Sequence, residues 1–124
     1  AVPFVVESQR TKYPHLRWRT VDARNLDESS SIDIAIDKGT ADALFMYGKG
    51  NQPVIDYLNA LERIGVKRFI VVSCARGTKD VLNGKGQPRI IALLSPSWTL
   101  KAHETLESDV GAGPRTFDFL VFER

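Results

Sequence analysis

Residues 53–72 constrain the fold more than any other stretch of this sequence. Val54, Tyr57, Leu58, Leu61 and Ile64 recur at helical spacing and give one apolar face. Gly65 follows where a helix ends in left-handed backbone. Lys67–Ser73 then contains Phe69, Ile70, Val71 and Val72, a short run apolar on both faces. Such a run predicts a central, buried strand. Upstream, Ser31–Asp37 (SIDIAID) alternates, with Ile32, Ile34 and Ile36 on one face, and predicts another strand. A strand, helices and a strand in that order imply a parallel crossover and an α/β sheet.

The remaining segments extend this pattern. A short helix is expected from near Pro3 to Tyr13, stopped by Pro14. Leu16–Val21 (LRWRTV) alternates as a strand, and Asp22–Ser31 reads as a polar turn. Thr40–Tyr47 reads as a short helix that Thr40 could cap. Gly48, Gly50 and Pro53 break the chain before the next helix, Pro53–Ile64. Arg76–Arg89 is a polar, glycine-containing loop, and Ile90–Leu94 is too short to type. Ser97–Leu106 and Thr116–Glu123 read as strands joined by the turn Glu107–Arg115, an antiparallel hairpin at the end of the sheet. The last strand has Phe117, Phe119 and Val121 on one face and Leu120 and Phe122 on the other. A terminal strand apolar on both faces calls for a cover, a partner chain among the candidates.

Bulk properties exclude several function classes. The 124 residues suffice for one domain, taken as residues 1–124. Net charge is +2, from 17 basic and 15 acidic side chains that are scattered along the chain. Nucleic-acid binding needs clustered Lys and Arg. The one local cluster, Lys12 to Arg24 with Tyr13, His15 and Trp18 interleaved, reads as a solvated helix end running into a strand. No apolar stretch approaches the roughly 20 residues that span a membrane. Nor does the N-terminus read as a signal peptide, and it lacks an initiator Met, so a processed chain or a piece of a longer one is expected. The single cysteine, Cys74, forms no internal disulfide; its apolar setting suits a buried thiol, and an intracellular, cytoplasmic chain is expected. His15 and His103 have no Cys or His partner at metal-ligand spacing, so no metal site is expected. No G-x-S-x-G elbow supports a serine hydrolase.

Specific segments carry a family resemblance. YPHLRWRTVDARNL resembles the third strand and following loop of class I S-adenosylmethionine-dependent methyltransferases. SIDIAIDKGTADAL resembles the fourth strand and its turn, KRFIVVSCARG the fifth, and SWTLKAHETL with TFDFLVFER the terminal antiparallel pair. The string D-K-G-T followed by D-A-L is close to that of a eukaryotic subgroup of protein lysine methyltransferases, relatives of those acting on elongation factor 1A and citrate synthase. The fold this implies is a truncated Rossmann-like methyltransferase sheet, parallel except for its C-terminal hairpin. The cofactor it implies is S-adenosylmethionine. By this resemblance Asp22 and Ala23 meet the adenine, while Asp37, Lys38 and Gly39 face the cofactor. Asp37 is the implied catalytic carboxylate, which orients an incoming lysine ammonium or helps it lose a proton. From the residues alone, Asp22 can equally end a strand and cap a turn. Asp37 can equally pair with Lys38 or cap the helix at Thr40, and Asp42 suits that helix's first turn.

The sequence departs from the family at its front. No G-x-G lies between a strand and a helix; Gly48-Lys49-Gly50 and Gly84-Lys85-Gly86 both fall in polar loops. The family's first two strands, which sit between its third and fourth, have no counterpart here. That weighs against cofactor binding by one copy alone. Three functions remain in view. One is a methyltransferase whose missing strands come from a second copy, a partner chain or a lost N-terminal segment of the same gene product, one a non-catalytic binding or scaffold module, and one a small enzyme that uses the emptied cofactor cleft. Exposed strand edges call for a homodimer or a partner chain.

Overall fold

A computed structural model describes residues 3–16, 21–26, 32–48, 50–73, 87–108 and 115–124. In chain order the elements are α1 (Pro3–Lys12), a 3-10 turn (Ala23–Asn25), β1 (Ile34–Lys38), α2 (Thr40–Tyr47), α3 (Gln52–Arg63), β2 (Arg68–Ser73), α4 (Ile90–Leu93), β3 (Thr99–Ser108) and β4 (Arg115–Glu123). The segment too short to type from sequence is thus a single helical turn, α4. Of the strand expected at Leu16–Val21, residues 17–20 lie outside the described residues. So do residues 27–31, Lys49, Cys74, the G-x-G at 84–86 with most of the loop at 76–89, and residues 109–114 of the last turn.

Helix α3 forms where the apolar stripe predicted it. Pro53 stands in its first turn, where no N–H is required, and Gly65 follows its end with φ +93°. Val54, Leu58 and Leu61 are buried along its inner face.

The sheet has four strands in the order β1-β2-β4-β3. β1 and β2 are parallel, with Ala35 opposite Phe69 and Asp37 opposite Val71. β4 runs antiparallel to both β2 and β3. The hairpin closes the end of the sheet as expected, but its second strand is the inner one. The two faces of β4 differ: Leu120 and Phe122 are buried beneath the helices, while Phe119 and Val121 on the other face are half-buried. The hairpin's first strand, β3, is the edge, exposed from Thr99 to Glu107 and bulged between Leu100 and Ala102.

Directly opposed residues share a face, so the register sorts the side chains. Phe69, Val71, Leu120 and Phe122 point to the face that α2, α3 and α4 cover, and together with Trp98 they form the core. Phe69 is fully buried, with ring centroids of Tyr57, Trp98 and Phe122 at 5.9, 6.2 and 6.3 Å. At the lower end of the core, Glu62 Oε1 accepts hydrogen bonds from Ser95 Oγ (2.5 Å), Ser97 Oγ (3.1 Å) and Trp98 Nε1 (2.7 Å). These tie the turn before β3 to α3 and hold the Glu62 carboxyl below its ordinary pKa. On the opposite face Ile70, Val72, Phe119 and Val121 are only half-buried, and Ile34 and Ile36 are 51% and 72% exposed.

Candidate functional site

The carboxyl end of β1 is shaped by one carboxylate. Gly39 adopts φ +88°, a backbone conformation that L side chains rarely take, and it turns the chain from β1 into α2. A Cβ there would meet no atom within 4 Å, so the requirement is conformational and not one of space. Two residues earlier, Asp37 points back at the new helix. Its Oδ1 accepts from the Thr40 N–H (2.8 Å) and its Oδ2 from the Ala41 N–H (3.0 Å). Asp37, not Thr40, therefore satisfies the first amides of α2, and Thr40 is the first helical residue.

Asp37 is only 2% exposed, and the Tyr57 hydroxyl donates to its Oδ2 at 2.9 Å. Burial pushes the Asp37 carboxyl above the ordinary carboxylate pKa, against the opposing pull of these donors. Burial and the neighbouring Asp37 charge push the Tyr57 phenol upward as well. Asp42, in the first turn of α2, is also buried and accepts from Ser73 Oγ at 2.7 Å.

Asp22 stands on the other side of the site. It caps the 3-10 turn by accepting from the Arg24 N–H at 2.9 Å, and it pairs with the Arg24 side chain at 2.6 and 2.9 Å. The guanidinium hydrogen bonds hold its carboxyl down to about 2. Both side chains are about half exposed.

Between these two segments lies a cavity of about 930 Å³ along the outer edge of β1. Asp22, Ala23 and Leu26 form one wall, and Ile34, Ile36 and Lys38 of β1 another. Gly39 and Thr40 form its lip, with Tyr57 and Leu61 of α3 and Ile64 just after it at its base. Among the described residues no strand pairs with this edge of β1. Four of the five expected cofactor residues, Asp22, Ala23, Lys38 and Gly39, thus line one cavity. The fifth, Asp37, sits behind the lip with both oxygens engaged. Tyr57 is the residue that sequence reasoning missed: it reads as one more apolar position of α3, and its partner lies 20 residues away.

The remaining polar residues do not join this cavity. His103 Nε2 lies 3.0 Å from Asp118 Oδ1, and Thr105 Oγ1 donates to the same oxygen at 3.1 Å. This pair occupies β4 and the far edge strand β3, about 10 and 14 Å from β1 at the usual strand spacing. Ser73 faces Asp118 across the β2–β4 ladder but donates to Asp42, so serine, histidine and aspartate are not ordered as a nucleophilic triad. His15 is exposed beside Tyr13. Among the described residues no three His, Cys, Asp or Glu side chains are grouped to hold a metal ion, and no helix is long and apolar enough to cross a membrane.

Comparison with known proteins agrees with the geometry. No protein-family model matches the chain. EEF1A lysine methyltransferase 4 of mouse is 46% identical over 46 residues, covering 34% of this chain and 18% of the relative. The cattle protein of the same name is 36% identical over 85 residues, covering 57% of this chain and 33% of the relative. The chain therefore matches a third or less of the length of these curated relatives. Among solved structures, the N-methyltransferase NodS of Bradyrhizobium japonicum WM9 superposes with a TM-score of 0.73 over 99% of this chain and 69% of its own, at 11% identity. The fold is that of NodS, a truncated Rossmann-like sheet, and the sequence is similar to part of the EEF1A lysine methyltransferases; the chain is methyltransferase-like.

Proposed function

We propose that this chain supplies one wall of an S-adenosylmethionine site and that a second chain supplies the other. The observation that carries the reading is the convergence of Asp22, Ala23, Lys38 and Gly39 on one cavity beside a strand edge that has no partner strand among the described residues. The cavity suits the adenosyl end of such a cofactor. Its apolar walls, Ile34, Ile36 and Leu26, match an aromatic base, and Asp22 keeps lone pairs that can accept from an exocyclic amine. The glycine-rich turn for the methionine end has no counterpart in these 124 residues, so that end of the cofactor needs a wall from elsewhere, and a second chain can bring it.

Asp22, Ala23 and the Lys38–Gly39 lip would hold the adenosyl end of such a cofactor, which would supply an electrophilic sulfonium methyl group for an amine acceptor. The lysine methyltransferase relatives favour a lysine amine as acceptor. Lys38 marks the rim, and Asp37 shapes the lip; Asp37 is 2% exposed and does not line the cavity, so direct contact between Asp37 and an ammonium requires the lip to move. The apolar sheet face bearing Ile34, Ile36, Ile70 and Val72 needs a cover, and a second copy is the simplest symmetric one.

Calorimetric titration with S-adenosylhomocysteine, with sedimentation velocity at the same concentrations, tests this. Saturable binding by an associated species, weakened at least tenfold by Asp22→Ala, is expected. No heat up to millimolar ligand from a folded chain removes the catalytic reading. An associated chain without ligand affinity would favour a scaffold module, and affinity for other nucleosides alone would favour a repurposed cleft.

A further inference from the structure

We propose that Tyr57 is a positioning residue for the cleft: through its hydroxyl it holds the Asp37 carboxylate against the first turn of α2 and so fixes the Lys38–Gly39–Thr40 lip. The inference deepens the reading of the cavity given above and rests on it only for the ligand.

The geometry has three parts. First, Asp37 is gripped from two elements: the Thr40 and Ala41 amides of α2 hold it from one side, and Tyr57 of α3 from the other. The turn is thereby tied to α3, not only to its own strand. Second, the anchor is rigid. Tyr57 is 6% exposed, and its ring meets Phe69 edge-on at 5.9 Å, so the hydroxyl is held by the core. Third, Tyr57 and the lip residues Lys38, Gly39 and Thr40 line the same cavity. A ligand that presses on the lip therefore also meets the residue that sets it.

The latch depends on protonation. Tyr57 and the two amides donate to the carboxylate form of Asp37, while burial and the nearby Asp42 charge oppose that form. Lys38, the next residue along β1, is exposed and faces the cavity. Removing the Tyr57 hydroxyl leaves burial and Asp42 opposed by two amides alone, so Asp37 must titrate at higher pH. A hydroxyl that merely filled space would leave this titration unmoved.

The test is amide hydrogen exchange, read residue by residue by NMR across a pH series, in the full chain and in Tyr57→Phe. Intrinsic exchange rates are divided out. The expected result is several-fold to tenfold faster exchange at Thr40 and Ala41 in Tyr57→Phe, with Leu58 and Ala60 of α3 unchanged. The pH midpoint for loss of protection at Thr40 and Ala41 should also move upward. Asp37→Asn keeps the packing and should abolish that midpoint. Uniform acceleration of all amides, an unmoved midpoint, or a midpoint that survives Asp37→Asn would each overturn the proposal. Titration with S-adenosylhomocysteine is run on the same samples, where a severalfold loss of affinity in Tyr57→Phe is expected. If the unaltered chain binds no ligand, the cofactor reading fails while the exchange result still decides the latch.

Discussion

Phe69→Ala is expected to destabilise the fold by about 3–5 kcal/mol. Phe69 is fully buried near the start of β2, and three aromatic rings surround it. Truncation leaves a cavity that cannot collapse easily, because one neighbour sits on α3, one on the turn before β3 and one on β4. A domain of this size has about 5–15 kcal/mol of total stability, so much of it would go. Urea denaturation followed by near-ultraviolet circular dichroism measures this directly. A loss under about 1 kcal/mol would mean that the core is not organised around this ring.

Asp37→Ala is expected to cost about 2–4 kcal/mol. The cap contributes about 1 kcal/mol, and stranding the buried Tyr57 hydroxyl adds a desolvation penalty of about 1–3 kcal/mol. Asp37→Asn separates the charge from the contacts, and the sign of its pH dependence follows from the raised carboxyl pKa. A carboxyl whose folded pKa lies above its unfolded value contributes stability below the unfolded value and loses it as pH rises through the folded one. The unaltered protein should thus lead Asp37→Asn by more at pH 4 than at pH 7. Paired urea melts at the two pH values check this, and an equal or reversed lead would place the dominant effect on the hydrogen bonds instead of burial.

Much of this architecture was legible in the sequence for identifiable reasons. α3 carries a full helical stripe closed by Gly65, and β2 is the short run apolar on both faces that was expected as a central strand and lies between β1 and β4. The terminal hairpin was legible from the alternation of Ser97–Leu106, the turn at Glu107–Arg115 and the apolar run of Thr116–Glu123. The sequence does not encode that β4, last in the chain, inserts between β2 and β3, because strand order depends on non-local pairing. Alternation marks two faces of β1 without saying which is covered: the small Ala35 and the polar Asp37 point inward, while Ile34 and Ile36 stay exposed. Ile90–Leu93 is one turn, too short to show a period.

The site divides in the same way. Asp22, Ala23, Lys38 and Gly39 could be picked out from the family resemblance, and they converge on one cavity although they come from two separate stretches of the chain. The work of Asp37 was one of two alternatives open from its position, and its hydrogen bonds to Thr40 and Ala41 give it the capping role. Tyr57 was invisible because its contribution is a single buried hydroxyl on a residue type that also fills cores.

Ultraviolet crosslinking of methyl-tritiated S-adenosylmethionine to the folded chain, followed by peptide mapping, tests the central claim most directly. Label should appear in the peptides that contain Asp22–Arg24 or Lys38–Thr40, and unlabelled S-adenosylhomocysteine should compete it away. Label no greater than in a heat-unfolded control, or confined to the β3 and β4 peptides, would contradict the account.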